Sequence, residues 1–299
     1  MIRDIEIREM AREYAVPETT IEKDYALNWI LRSLYQQTDS FALKGGTGLR
    51  KIYFENYRFS EDLDFTMLRS AGRSEIEGVI KKAIQTAKRD SGINFQDTVL
   101  SEENINGYKL DIYFSIFRRG GNPLRIKFDM TKPEKEIMIL PLVKKQVFHP
   151  YSDEYSTSVL AYSIHEIMAE KLRSLFERTR ARDVYDVWFI SKNIDMGKAF
   201  EIFPAKCEFK KLSPDIDDML HRKQDFQNAW KSSLGHQLKG LPDFDMIFKE
   251  VTDILASMIN TQKTPPSAAP HRGLGSQPQR RDDKGIKNKK HRVSKSDKI

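Results

Sequence analysis

Two aspartates two residues apart, Asp62 and Asp64, follow a glycine pair, Gly45-Gly46, that ends the short apolar run Phe41-Ala42-Leu43. Side chains alternate faces along a strand, so both carboxylates point one way while Leu63 and Phe65 turn toward the core. Two carboxylates on one face can hold Mg²⁺, a hard cation that fills its remaining positions with water or substrate phosphate. Glycines between a strand and a helix let backbone N–H groups come close to a triphosphate, and the helix N-terminus favours its charge. Lys44-Gly45-Gly46-Thr47 and Ser60-Glu61-Asp62-Leu63-Asp64 therefore describe a site for a metal–triphosphate complex. The same Asp-x-Asp spacing recurs at Asp215/Asp217 and Asp243/Asp245, next to Pro214 and Pro242. There a carboxylate serves local backbone in a turn or helix cap.

A third acid is available at Asp129 or at Asp111, each interrupting the apolar alternation of a strand-like segment; the ordinary reading of either is a solvent-facing strand residue. A further helix begins at Ser163, where Ser163-x-x-Glu166 forms a capping box. At about 100° per residue, Ile164, Ile167, Met168, Leu172, Leu175 and Phe176 fall on one arc, and Lys171 lies inside it. Such a lysine either snorkels to water or aims at an anion inside the fold. Arg173 falls on the opposite, solvated face, and Arg178 returns to the edge of the buried arc. Asp183 shares a face with Val187 and Ile190, as a catalytic carboxylate or as a helix-start acid that favours the macrodipole. Asp186 is placed to brace Arg182 or Lys171.

The elements that must position these groups follow from periodicity. Thr19-Thr20-Ile21-Glu22 offers a capping box for an early helix of about 16–18 residues. Phe41–Leu43 and Leu63–Met67 read as strands, Ser74–Lys88 as an amphipathic helix, and Ile93–Leu100, Tyr108–Phe117 and Pro123–Met130 as further strands. Ile137–Leu142 also reads as strand. From Ser163 to Met258 the pattern is mainly helical, which gives an α+β chain with a mixed sheet first and helices after it. The division expected is 1–150, 151–260 and 261–299.

Net charge is +7, but 261–299 carries 11 Lys/Arg against 3 Asp/Glu, which leaves 39 against 40 in the rest. That segment is rich in Pro, Gly, Ser, Gln and Asn and reads as a disordered basic tail, either a solubilising extension or a salt-dependent holder of nucleic acid. The single cysteine, Cys207, excludes an internal disulfide. A reducing, cytoplasmic setting is the expectation. Charges near Met1 and the lack of a long apolar run predict neither export nor a membrane span.

Taken in order, Lys44-Gly45-Gly46-Thr47-Gly48-Leu49, Arg58-Phe59-Ser60-Glu61-Asp62-Leu63-Asp64-Phe65, the Arg125-to-Asp129 strand, Glu170-Lys171-Leu172-Arg173-Ser174-Leu175 and Arg182-Asp183-Val184-Tyr185-Asp186-Val187-Trp188 resemble the motifs of AbiEii/AbiGii-type nucleotidyltransferase toxins, which include the MenT proteins. The resemblance spans about 20–195. It implies a polymerase-β-like nucleotidyltransferase core closed over by a helical domain. It further implies that Asp62, Asp64 and Asp129 bind Mg²⁺, that Lys44, Gly45, Gly46, Thr47 and Ser60 meet an NTP, that Lys171 reaches its phosphates, and that Asp183 completes the site. The third strand acid of the family is often Glu followed by Gly, where this chain has Asp129-Met130. The implied reaction moves a nucleoside monophosphate to an RNA hydroxyl, the 3′ end of tRNA, with a cognate antitoxin protein as partner. Clustered Asp with Lys also suits a metal-dependent ribonuclease, the same core suits kinase-like or nucleotidyl transfer to protein, and the tail alone suits a non-enzymatic RNA-binding module.

Overall fold

The computed structural model describes residues 1–117 and 121–263. Its seven strands are β1 (Phe41–Lys44), β2 (Asp62–Met67), β3 (Asn94–Asn104), β4 (Gly107–Ser115), β5 (Leu124–Thr131), β6 (Val143–Gln146) and β7 (Ser158–Ala161). They form one mixed sheet in the order β3-β4-β5-β2-β1-β7-β6, in which the β2/β5 and β1/β7 pairs are parallel and the other neighbours antiparallel. The helices are α1 (Asp4–Glu13), α2 (Glu18–Gln37), α3 (Gly45–Gly48), α4 (Arg73–Ser91), α5 (Ile164–Glu177), α6 (Ala181–Ser191), α7 (Gly197–Phe209), α8 (Ile216–His221), α9 (Lys223–Leu234) and α10 (Phe244–Lys263). The fold is α+β, as its sequence pattern predicts.

Strict alternation in β4 and β5 turns Leu110, Ile112, Phe114, Ile126, Phe128 and Met130 to one face, where each is essentially buried. That face packs under α2 and α4, whose Ile76, Ile80, Ala83, Ile84 and Ala87 recur at helical spacing. Each such Ile, Leu, Phe or Met side chain contributes roughly 1.5–3 kcal/mol by leaving water. The other face of β4 and β5 carries Lys109, Asp111, Arg125, Lys127 and Asp129, none of them buried. A second apolar cluster joins α5–α10 to Ala42, Leu49, Tyr57 and Tyr162. The expected division near residue 150 falls between β6 and β7, which pair as a hairpin.

Several local expectations differ. The early helix starts at Glu18 behind Pro17, so Thr19 lies within the helix and caps nothing. The first turn closes through backbone instead, Thr20 N–H donating to the Pro17 carbonyl at 2.9 Å. No strand forms over 137–142. Its backbone groups are taken by side chains: Ile139 and Leu140 N–H donate to the Glu166 carboxylate at 3.0 and 2.8 Å, and Lys206 Nζ donates to the Ile137 carbonyl. A segment whose polar groups are satisfied this way needs no ladder. Helix α1 and strands β6 and β7 went unmarked in the sequence. The tail expectation falls largely on 264–299, outside the described residues, although α10 runs three residues into it. Among the described residues no helix is long and apolar enough to cross a membrane.

Candidate active site

Strand β2 carries Asp62 and Asp64 on one face, with Leu63 and Phe65 fully buried on the other. Sheet register places Lys44 of β1 on one side of Asp64 and Asp129 of β5 on the other. Beyond Asp129 come Lys109 and then Glu102. The row Lys44–Asp64–Asp129–Lys109–Glu102 thus alternates in charge except at one step, where two carboxylates on parallel neighbours meet. Burial and the Asp62 charge push the Asp64 carboxyl above its ordinary value, against the pull of Lys171, Lys44 and Arg178. Burial and the Asp64 charge do the same to Asp129. Like charges held together raise each other's pKa.

The chain turns from β1 into α3 at Gly45, whose φ of +68° is the left-handed conformation that glycine adopts without penalty. A Cβ there would run into the Asp64 carboxylate, and one on Gly46 would sit 2.8 Å from the Arg58 guanidinium and 3.0 Å from Ser60 Oγ. These glycines keep backbone within touching distance of the acidic pair. Thr47 is fully buried and does not line the cleft; its hydroxyl donates to the Asp62 carbonyl and can accept from the Ser60 hydroxyl at 2.9 Å, tying the turn to β2.

The facing wall comes from α5 and α6. Ser163 Oγ caps α5 by accepting from Glu166 N–H at 3.2 Å. About two turns beyond the cap, Lys171 Nζ lies 2.7 Å from both Asp183 and Asp186 of α6. Arg178, which ends α5, donates to Asp183 at 2.9 Å, and Arg58 holds Asp186 through two N–H groups at 2.7 and 2.9 Å. Burial alone would raise both carboxyls; Lys171 with Arg178 brings Asp183 below its ordinary value, and Arg58 with Lys171 brings Asp186 well below. The same carboxylates hold the Lys171 ammonium charged despite its burial.

Both walls line one cleft of about 250 Å³. Around it lie Lys44, Gly45, Gly46, Ser60, Asp62, Asp64 and Asp129 from the sheet side and Lys171, Arg178 and Asp183 from the helices. A profile for the nucleotidyl transferase AbiEii toxins of type IV toxin–antitoxin systems matches residues 29–251. The chain belongs to this family. Among solved structures, MenT4, a nucleotidyltransferase toxin of Mycobacterium tuberculosis, superposes with a TM-score of 0.59 at 19% identity, covering 84% of this chain and 88% of that one. An antigenic nucleotidyltransferase-like protein from Paracoccidioides brasiliensis gives a TM-score of 0.37 at 16% identity, covering 73% and 95%. A search of curated proteins finds no match.

In this AbiEii-family chain, all the expected side chains except Thr47 reach the cleft, and Asp129 rather than Asp111 is the strand acid present. Asp111 lies outside the cleft, ion-paired to Arg125 at 3.3 Å. Asp215 and Asp243 cap helices through Asp217 and Met246 N–H, in the local backbone role expected of them. Asp186 braces Lys171 and Arg58 rather than Arg182. Arg173 reverses its expectation: it is 5% exposed and lies against Glu136 at 3.2 Å, because α5 is buried continuously from Glu166 to Phe176. Glu136, Glu166 and Glu170 with Lys44, Lys206 and Arg173 form a charged lattice on this side, which no short-range pattern in the sequence announces. Arg58 was also missed as a site residue; its partner lies 128 positions away.

The carboxylates fit Mg²⁺. Among the described residues no three His, Cys, Asp or Glu side chains close on a single metal position. Mg²⁺, however, is commonly held by one or two carboxylates together with substrate phosphates, so the Asp62/Asp64 pair, which lines the cleft and forms no ion pair among the described residues, is a suitable half-site.

Proposed function

We propose that this chain transfers a nucleoside monophosphate from an NTP to an RNA hydroxyl, the 3′ end of tRNA by family resemblance, with release of pyrophosphate. The observation that carries this reading is the convergence of Asp62, Asp64 and Asp129 on one wall with Lys44, Lys171 and Arg178 around the same cleft. In-line displacement needs positioning and charge neutralisation more than covalent help from the protein. Asp62 and Asp64 would hold one Mg²⁺, and Asp129 would share a second; the ions would supply neutralisation of the triphosphate and a lowered pKa for the attacking hydroxyl. The backbone at Gly45 and Gly46 approaches the phosphates, with Lys44 and Ser60 beside them and Thr47 fixing the turn from behind. Lys171 faces the charge that builds on the phosphates, and Asp183 with Asp186 fixes the position of its ammonium. Residues 1–150, which carry six of the seven strands, act as the nucleotidyltransferase core, and the helices of 151–260 as its second wall. A cognate antitoxin protein restrains the activity, and the reaction takes place in the cytoplasm.

The test is incubation of the purified chain with each labelled NTP, Mg²⁺ and total RNA, followed by resolution of the labelled species. Transfer predicts a lengthened RNA, a requirement for NTP and loss of label with Asp64→Ala. RNA cleavage without NTP would replace this reading with a ribonuclease, and full transfer by Asp64→Ala would remove the site assignment.

A further inference from the structure

Each cation deep in the cleft already has a carboxylate. Lys44 meets Glu136 and Glu170, Lys171 meets Asp183 and Asp186, Arg58 meets Asp186, Arg173 meets Glu136, and Arg178 meets Asp183. Three cations at the mouth differ. Lys127 on β5, Arg180 at the cap of α6 and Arg182 in its first turn line the cleft yet form no ion pair among the described residues. Arg180 is exposed and the other two are partly exposed. Lys127 partly offsets the Asp129 charge, whereas Arg180 and Arg182 have no carboxylate at ion-pair distance among the described residues, and positive charge of that kind facing water is available to an incoming phosphate.

Lys127 belongs to two cavities. It also lines a neighbouring open groove of about 330 Å³ on the same sheet face, with Leu100, Lys109, Asp111 and Arg125. Register places Lys127 between Asp62 and Asp111, and Lys109 beside Asp129, so the groove runs directly into the acidic row. The acids in the groove are matched: Asp111 pairs with Arg125, and Glu102 stands opposite Lys109. Leu100 is 52% exposed, an apolar surface on which a base can rest.

We propose that this strip is an acceptor track: a single RNA strand lies across the open face of β3, β4 and β5, its backbone phosphates on Lys127, Arg180 and Arg182 and its terminal hydroxyl beside Asp64 and Asp129. The inference rests on the transferase reading and adds where the acceptor lies. The compensated interior suits a triphosphate that arrives with its own cation. A polynucleotide instead needs positive points along a path longer than the cleft; the rim supplies them, and the groove extends the path with an excess of one basic residue, Lys109, Arg125 and Lys127 against Glu102 and Asp111.

The test is anisotropy of a labelled single-stranded RNA with a free 3′ hydroxyl, titrated with the full chain over a salt series. The variant Lys127→Gln/Arg180→Gln/Arg182→Gln is expected to bind roughly tenfold or more weakly, with the slope of log affinity against log salt reduced by about 2, since each phosphate contact on a single strand contributes about 0.7. Affinity for labelled NTP falls less than affinity for the RNA. Lys127→Arg restores the Lys127 share, and Lys81→Gln, on the exposed side of α4, changes nothing. Unchanged RNA affinity and slope in the triple variant would overturn the track, as would a loss of NTP affinity with RNA binding intact. Failure of the transferase reading would show separately, as wild-type protein that transfers no label whatever its affinity for RNA.

Discussion

The two walls of the cleft carry similar numbers of charges and treat them in opposite ways. On the helix wall, Asp183 and Asp186 are matched by Lys171, Arg178 and Arg58 at 2.7–2.9 Å, and both carboxyls are pulled below their ordinary value. On the sheet wall, Asp64 and Asp129 sit side by side and both carboxyls are pushed up. A balanced buried lattice fixes geometry. An unbalanced acidic pair stores repulsion, and carboxyls perturbed in this way within a cleft are candidates for function. The two walls should therefore respond differently to loss of a carboxylate, and the variants below set them apart.

The largest separation is expected from Asp64→Asn. Nucleotide transfer should fall by at least on the order of a thousandfold, the scale on which losing one preorganised electrostatic group acts. The fold should melt at an unchanged or higher temperature, because one of two repelling carboxylates has gone. Thermal denaturation beside a transfer assay measures both; a melting temperature lowered by many degrees would show that Asp64 is structural.

Asp186→Asn should reverse that pattern. It removes the carboxylate shared by Arg58 and Lys171 and leaves two buried cations short of a partner, a loss of about 3–5 kcal/mol. For a domain of this size the melting temperature should drop by roughly 10 °C. The walls also differ in the sign of their pH response. Asp186 has a depressed folded pKa, so its stabilisation is complete above the ordinary value of 3.8 and is lost as pH falls through the folded value. Asp64 and Asp129 have raised folded pKa values, so the folded state holds the extra protons just above 3.8, and stability declines as pH rises through that window. Denaturant titrations across acid pH should show Asp186→Asn flattening the first limb and Asp64→Asn flattening the second; an acid limb unaffected by Asp186→Asn would break the contrast.

Gly45→Ala should act on both measures by a smaller amount. The left-handed φ costs about 1–2 kcal/mol for an L-residue. The new methyl group would also displace the Asp64 carboxylate, so activity should fall by more than stability. Equal losses would mean that the turn serves only the fold.

The sheet wall was legible in the sequence and half of the helix wall was not, for a physical reason. A period of two gives a strand residue's face without knowledge of its neighbours, so the shared direction of Asp62, Asp64 and the inward Leu63 and Phe65 could be read from four positions. The 3.6 period gives the apolar arc of α5, and with it the inward Lys171, but says nothing of what meets the polar arc. There it is a second buried interface, where Glu136 waits for Arg173 and where Lys206 lies 2.6 Å from Glu166. Arg173 was read as solvated for that reason. The 137–142 segment failed in the same way: its apolar residues look like strand, and only the distant Glu166 and Lys206 show why no ladder forms.

The smallest effect probes how the helix wall begins. Ser163 accepts from Glu166 N–H, which satisfies one orphan donor of α5. In a full capping box the N3 glutamate returns the favour to the cap's own N–H. Here the Glu166 carboxylate is committed to Ile139, Leu140 and Lys206, so only one arm of the motif is present. Ser163→Ala should therefore cost about 1 kcal/mol and lower the melting temperature by roughly 2–4 °C. Glu166→Gln keeps an acceptor oxygen for only one of the Ile139 and Leu140 amides, sets an NH2 against the other, and removes the charge opposite the fully buried Lys206, so it should cost more than the cap. If Ser163→Ala proves the more damaging of the two, α5 is held by its terminus rather than by the charged lattice, and the helix wall owes its geometry to local structure instead of to compensated charge.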